Sequence, residues 1–261
     1  HTDYAGGCSL AFASPHRLLF KADFNHPTIE GDDTVVALWM EAGGPPAKLD
    51  VMSSIPIGKG MSSSAALCLA IALCVNGPTM KNQAACLEAQ RLEHTVLGTP
   101  CGLLDQMAMI HAQEGHCTLI DFTLLTTSSI PYPSTWMFKL VDSGIHRILN
   151  NQDYRDTATQ EVKQRHVENE NARVHQAMKA SKEQLGQLLN ESHESLRNIG
   201  VSTPEIDEQV HAIQKMNGVL GARMMGGGFG GMILVLVDDA DVLPEQDVLV
   251  ASSPGFVEEI L

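Results

Sequence analysis

The sequence predicts an α+β protein of two domains, and three observations carry that reading. Strand-like and helix-like segments are mixed without the regular alternation that builds a parallel sheet. A chain of 261 residues can bury a substantial core, and its length favours two modest domains or one large one. Pro131 and Pro133 fall between two strand-like segments, so the predicted boundary separates residues 1–133 from residues 134–261.

In the first domain, the turn Ala5-Gly6-Gly7 feeds a predicted strand through Cys8 to Ser14. Residues 22–33 are polar and rich in Gly and Asp, a loop, whereas Thr34 to Met40 is β-branched and apolar and predicts a strand. Lys48 to Ser54 predicts a further short strand. The continuous apolar run Ala65 to Val75 predicts a buried helix that begins at the preceding serines. A second helix, Met80 to Leu97, stops at Gly98-Thr99-Pro100. A third opens within Cys101-Gly102-Leu103-Leu104-Asp105-Gln106 and reaches Gln113, before a strand from Cys117 to Phe122.

The second domain opens with a predicted strand, Trp136 to Asp142. Helical spacing with charged outer faces follows over Ala158–Met178, Lys182–Asn198 and Pro204–Met216. Gly218 to Gly231 reads as a glycine-dense turn leading into the strand Met232 to Val237.

Composition excludes several function classes. A formal charge of −14 repels nucleic acid and anionic membranes, so neither is an expected partner. Six scattered cysteines without a C-x-x-C pair predict reduced, buried thiols in a cytoplasmic protein. Eleven histidines show no HExxH spacing, which argues against a dedicated transition-metal site. No apolar run is long enough to span a bilayer. An anionic substrate therefore needs a local positive device.

The run Ile55 to Ala66 offers one. Gly58 and Gly60 can adopt positive φ and bring backbone amides close to an anion, while the helix that follows presents unpaired N–H groups and about half a positive charge. Lys59 lies between the glycines and no Lys-Ser pair follows, so this is not the GxxxxGK[ST] loop. One serine suffices to cap a helix, which leaves the others of Ser62, Ser63 and Ser64 for a phosphate oxygen or a metal. An ordinary capped helix start is the alternative.

Five glycines among Gly226 to Gly231 force backbone close to a ligand or to another strand, although a plain turn would look the same. Asp105 stands at a helix start, where the dipole keeps a carboxylate ionised, as a general base or as a simple cap. Glu93 could reach Mg²⁺ together with a serine hydroxyl or could belong to a solvated helix face. His1 and Asp3 form a polar cluster suited to sugar hydroxyls, and Tyr154 lies in a polar loop after a strand.

In that order, His1-Thr2-Asp3-Tyr4 with Gly6-Gly7, the run Pro56 to Ala66, Cys101-Gly102 with Asp105-Gln106, and Gly221 to Gly231 resemble the galactokinase branch of the GHMP small-molecule kinase superfamily. The stretch Glu191 to Arg197 is also similar. The resemblance implies a two-domain GHMP kinase fold, its N-terminal domain of the ribosomal protein S5 domain 2-like type and its C-terminal domain ferredoxin-like, with the active site in the cleft between them. It implies that His1, Asp3, Gly102, Asp105 and Tyr154 bind the sugar and that Asp105 is the base or charge partner at its C1 hydroxyl. Gly58, Lys59, Gly60, Met61, Ser62, Ser63 and Ser64 would wrap the ATP phosphates, with Gly227 and Gly228 closing the cleft. Ser64, or Ser63, and Glu93 would hold Mg²⁺.

The implied reaction is ATP- and Mg²⁺-dependent phosphorylation of galactose at its anomeric hydroxyl, in a monomer or homodimer. An L-arabinokinase or N-acetylgalactosamine kinase type, or a non-catalytic sugar sensor, are the alternatives. Family members carry a sugar-binding glutamate and a phosphate-stabilising arginine before the His-Thr-Asp-Tyr cluster, a segment not in this sequence. Three spans are also shorter than in the family, from Asp3 to the phosphate loop, from Tyr154 to Arg165, and after Val237. These departures are expected of a truncated protein or of one with residues missing from those spans.

Overall fold

The computed structural model describes residues 1–145 and 158–258. In chain order its elements are β1 (Cys8–Ala11), β2 (Leu18–Asp23), α1 (Asp33–Glu41), β3 (Lys48–Ser53), α2 (Ser63–Asn76), α3 (Asn82–Thr95), α4 (Leu104–Ile110), β4 (His116–Asp121), β5 (Thr126–Pro131), β6 (Met137–Asp142), α5 (Gln160–Ala177), α6 (Lys182–Asn198), α7 (Pro204–Gln214), β7 (Val219–Met224) and β8 (Met232–Val237). They form three antiparallel sheets, ordered β1-β4-β5, β2-β3 and β6-β8-β7.

A sequence expectation is overturned in the first half of the chain. The predicted strand at Thr34 to Met40 is the helix α1. Asp32 caps it, accepting from the amides of Thr34 and Val35 at 2.9 and 3.3 Å, and Val35, Leu38 and Trp39 fall on one buried helical face. Burying Leu38 alone is worth about 2 kcal/mol, which outweighs the weak β preference of Thr34, Val35 and Val36. The Trp39 indole donates to the Pro45 carbonyl at 2.8 Å and fixes the turn that follows.

Three strands escaped the sequence reading. β2 pairs with β3 in the register Leu18 to Ser53 through Asp23 to Lys48. β5 is mostly Thr and Ser, and β7 lies inside the glycine-dense stretch, where Gly221 permits a very close approach to α6 at Gly186.

Four hydrophobic clusters lie among the described residues, the smallest of them around Cys86, Met107, Ile120 and Phe122. Leu38, Trp39, Cys68, Ile71 and Leu92 pack α1, α2 and α3 together, while Leu196, Val201, Ile206, Met224, Ile233 and Val235 lie between the β6-β8-β7 sheet and helices α6 and α7. The third cluster joins Cys117 to Trp136, Phe138, Leu185 and Leu236, with Phe12 and Tyr132 packed against it. All six cysteines are free thiols, buried or partly buried.

After β8 the chain makes a short irregular excursion. The buried Lys139 ammonium holds it by donating to the Ala240 and Leu243 carbonyls at 2.6 and 3.0 Å. The segment Asp247 to Val250 is irregular and makes isolated contacts, such as the Leu249 amide on the Phe138 carbonyl at 2.8 Å. Among the described residues no helix is long and apolar enough to cross a membrane.

Candidate active site

The phosphate loop owes its shape to left-handed backbone. Gly58 and Gly60 both have φ of 73°, and Ser62 follows at 64°, a conformation that a residue with a side chain rarely takes. Ser62 occupies the N-cap of α2 without a side-chain cap bond, so its hydroxyl is not spent on the helix amides.

Against this loop lies the glycine run between β7 and β8. A Cβ on Gly226 would stand 3.2 Å from Gly60 Cα, and one on Gly231 would collide with the Lys59 carbonyl at 2.6 Å. The Lys59 carbonyl also accepts from the Met232 amide at 3.0 Å. Backbone therefore meets backbone across the two halves of the chain. Gly228 is buried against Val201, where a Cβ would lie 2.4 Å from the carbonyl, while Gly226 is exposed and Gly227 half-buried. Lys59 turns its ammonium to Asp142 at the end of β6 in an ion pair.

At the start of α2 the Ser64 hydroxyl donates to Glu93 Oε1 at 2.7 Å. Glu93, on α3, is 2% exposed, and its other oxygen accepts from Gln106 Nε2 at 2.6 Å and the Cys101 thiol at 3.3 Å. Burial raises its pKa, and the bonds from Ser64, Cys101 and Gln106 oppose that rise. Burial and the neighbouring Glu93 push the Cys101 thiol up in turn.

This cluster joins α2, α3 and the turn into α4, which carries Asp105 in its first turn, half-buried and next to Gln106. The same turn contacts the start of the chain, since a Cβ on Gly102 would lie 2.0 Å from Asp3 Oδ2. His1 Nδ1 lies 2.9 Å from the Tyr4 hydroxyl. Tyr154 falls outside the described residues.

The sequence-predicted residues thus meet in three groups: Asp3 on Gly102 beside Asp105, Ser64 on Glu93, and Lys59 and Gly60 on the Gly226 to Gly231 run. Sequence reasoning missed Gln106 as the residue that holds Glu93, and Asp142 as the partner of Lys59. A fully buried amide beside Asp105 is a signal only once burial is known.

Glu93 and Ser64 present paired hard oxygens, which fit Mg²⁺. Among the described residues no cluster of three or more His, Cys, Asp or Glu side chains could hold a metal.

The chain matches the model for the GHMP kinases N terminal domain over residues 32–113 and that for GHMP kinases C terminal over residues 174–246. Galactokinase of Thermotoga maritima is 30% identical over 297 aligned positions, covering 90% of this chain and 85% of that protein. The chain belongs to the GHMP kinase family.

Galactokinase of Bos taurus is 34% identical over 231 positions, which cover 72% of this chain and 58% of the bovine protein. This GHMP kinase thus matches a little over half the length of its mammalian relatives. Its fold is similar to that of Lactococcus lactis galactokinase complexed with galactose, with a TM-score of 0.81 at 21% identity, covering 97% of this chain and 90% of the other. Mevalonate kinase of Methanococcus jannaschii follows with a TM-score of 0.69 at 17% identity, over 94% and 89% of the two chains. The protein has the two-domain GHMP kinase fold and is a phosphotransferase that takes ATP.

Proposed function

We propose that this GHMP kinase phosphorylates galactose at its anomeric hydroxyl, using ATP and Mg²⁺ and giving α-galactose 1-phosphate. The juxtaposition of Asp3, Gly102 and the Asp105 helix start, close to the Ser64–Glu93 pair, carries the reading. Identity to galactokinases over most of the chain supports it.

In this reading His1, Asp3 and Gly102 bind the sugar, with Tyr154 assigned to the same site from the sequence. Asp105 accepts or orients the proton of the C1 hydroxyl. The C1 oxygen attacks the γ-phosphorus, the bond from that phosphorus to the β–γ bridging oxygen breaks, and ADP leaves with the electron pair. Backbone amides of the loop from Gly58 through Lys59, Gly60, Met61 and Ser62 to Ser63, with the N-terminus of α2, face the phosphate charge. Gly227 and Gly228 belong to the run that closes over them. Ser64 and Glu93 would hold Mg²⁺, which would neutralise charge on the phosphate oxygens.

We further place the domain boundary at 133/134, between the clusters around Trp39 and around Ile233 and crossed by the cluster of Cys117 and Phe138, and the protein in the cytoplasm as a monomer or homodimer. A coupled ADP-release assay with galactose, L-arabinose and N-acetylgalactosamine tests the assignment. Galactose-dependent turnover that Asp105→Asn abolishes supports it, and binding without turnover, or preference for another sugar, overturns it.

A further inference from the structure

The turn that presents His1 and Asp3 is gripped from both sides. On one side the Thr123 hydroxyl donates to the Gly6 carbonyl at 2.6 Å, and the Phe122 amide donates to the Gly7 carbonyl at 2.9 Å. On the other side stands α5, a helix from the far half of the chain. Asn171 Oδ1 accepts from the Cys8 amide at 2.7 Å across 163 residues of sequence. Gly7 is pressed so closely into this contact that a Cβ would lie 2.9 Å from Asn171 Oδ1, 3.1 Å from Val167 Cγ1 and 2.8 Å from Thr2 Cβ. Five residues earlier on α5, the His166 ring lies edge-on to His1 at 6.3 Å, and its Nδ1 is 2.7 Å from the Ser195 hydroxyl of α6.

We propose that Asn171 is a positioning residue for the sugar site, setting the Thr2 to Cys8 turn so that His1 and Asp3 face the substrate. The inference rests on the galactose reading for what the turn grips. The chemistry needed at position 171 is an acceptor oxygen of this reach, because the Cys8 amide is the group it satisfies. Asp supplies that oxygen in the same place, whereas Leu fills the volume without it. A turn shifted by a fraction of an ångström misplaces Asp3 against Gly102, and hence the sugar against Asp105, while the phosphate loop stays in place.

The test compares Asn171→Leu with Asn171→Asp in full-length protein. Steady-state kinetics are read with galactose and with ATP varied, and backbone hydrogen exchange of residues 1–12 is read without ligand. The leucine variant is expected to raise the galactose KM about tenfold while leaving the ATP KM within about twofold, as a small misplacement at a reacting centre should. Exchange should quicken in residues 1–12 alone, and Asn171→Asp should restore both. An unchanged galactose KM overturns the proposal, as does a parallel rise in both KM values with faster exchange throughout the chain. Should Asn171→Leu not fold, Asn171→Ala takes its place under the same criteria. If the wild-type protein turns over no galactose, the galactose reading falls, and exchange alone decides: quickening confined to residues 1–12 upholds the positioning role, and no change overturns it.

Discussion

The phosphate loop meets its neighbour through backbone alone, whereas the sugar-side turn is fastened by side chains as well as by backbone bonds such as that from the Phe122 amide to the Gly7 carbonyl. Gly58, Gly60 and Ser62 carry positive φ, and the loop meets its neighbour through Gly226, Gly231 and a bond between the Met232 amide and the Lys59 carbonyl. The turn at residues 1–8 is fastened by Thr123, Asn171 and the His1–Tyr4 contact. The difference follows from what each must recognise. A triphosphate is a dense charge that amides and a helix terminus can hold without side chains, whereas one sugar is told from another by hydrogen bonds of fixed direction. Substitutions should therefore separate the two regions kinetically.

The largest effect is expected where the two meet. Asp105→Asn should lower kcat by about a thousandfold, the usual scale for a lost general base, with galactose and ATP binding retained in calorimetry. Next come the glycines, which break the comparison cleanly if it is wrong. Gly102→Ala drives a methyl into Asp3 and should raise the galactose KM by about a hundredfold with little change for ATP. Gly226→Val strains a residue at φ 75° and pushes on Gly60, and should raise the ATP KM by about tenfold with little change for galactose. If either variant moves both constants equally, the two regions are one unit.

Glu93→Gln should raise the Mg²⁺ concentration needed for half-maximal nucleotide binding by about tenfold, measured by calorimetry at fixed ATP. Acid should then act through the sugar side. Burial foremost pushes His166 down from an ordinary 6.5 to about 3. The unfolded chain takes up a proton near pH 6.5 that the folded protein refuses. The stability this histidine permits is thus full above pH 6.5 and declines as pH falls toward 3, by about 2 kcal/mol at pH 5. Denaturant melts at pH 7 and pH 5 should show that loss, and His166→Gln should flatten it. Smallest is Lys59→Met. The Lys59–Asp142 pair is partly exposed, so its loss should cost about 1 kcal/mol or less and change the ATP KM by about threefold at most.

Much of this was legible in the sequence, for physical reasons. Glycines that need positive φ, a long apolar helix and a carboxylate at a helix start are local features, and the fold keeps them where the pattern puts them. The structure brings together Asp3 with Gly102, and Ser64 with Glu93. What failed was also local in origin. At Thr34 to Met40 three β-branched residues masked a helix whose cap, Asp32, lay in a segment read as loop, and β5 was hidden by its polar composition. Gln106, Asp142 and Asn171 could not be found because each acts through a partner distant in sequence. Nothing in a single chain marks an asparagine on α5 as the acceptor for an amide 163 residues away.

The cysteines carry a practical consequence. Burial raises the pKa of every thiol in the protein, to about 12 at Cys86 and Cys117. Since the thiolate is the reactive form, maleimides and mild oxidants should scarcely touch the folded enzyme and should label it rapidly once it opens. The protein thus contains its own clock for unfolding. Cys101, bonded to Glu93 at 3.3 Å, should report the opening of the catalytic turn before the rest of the molecule gives way.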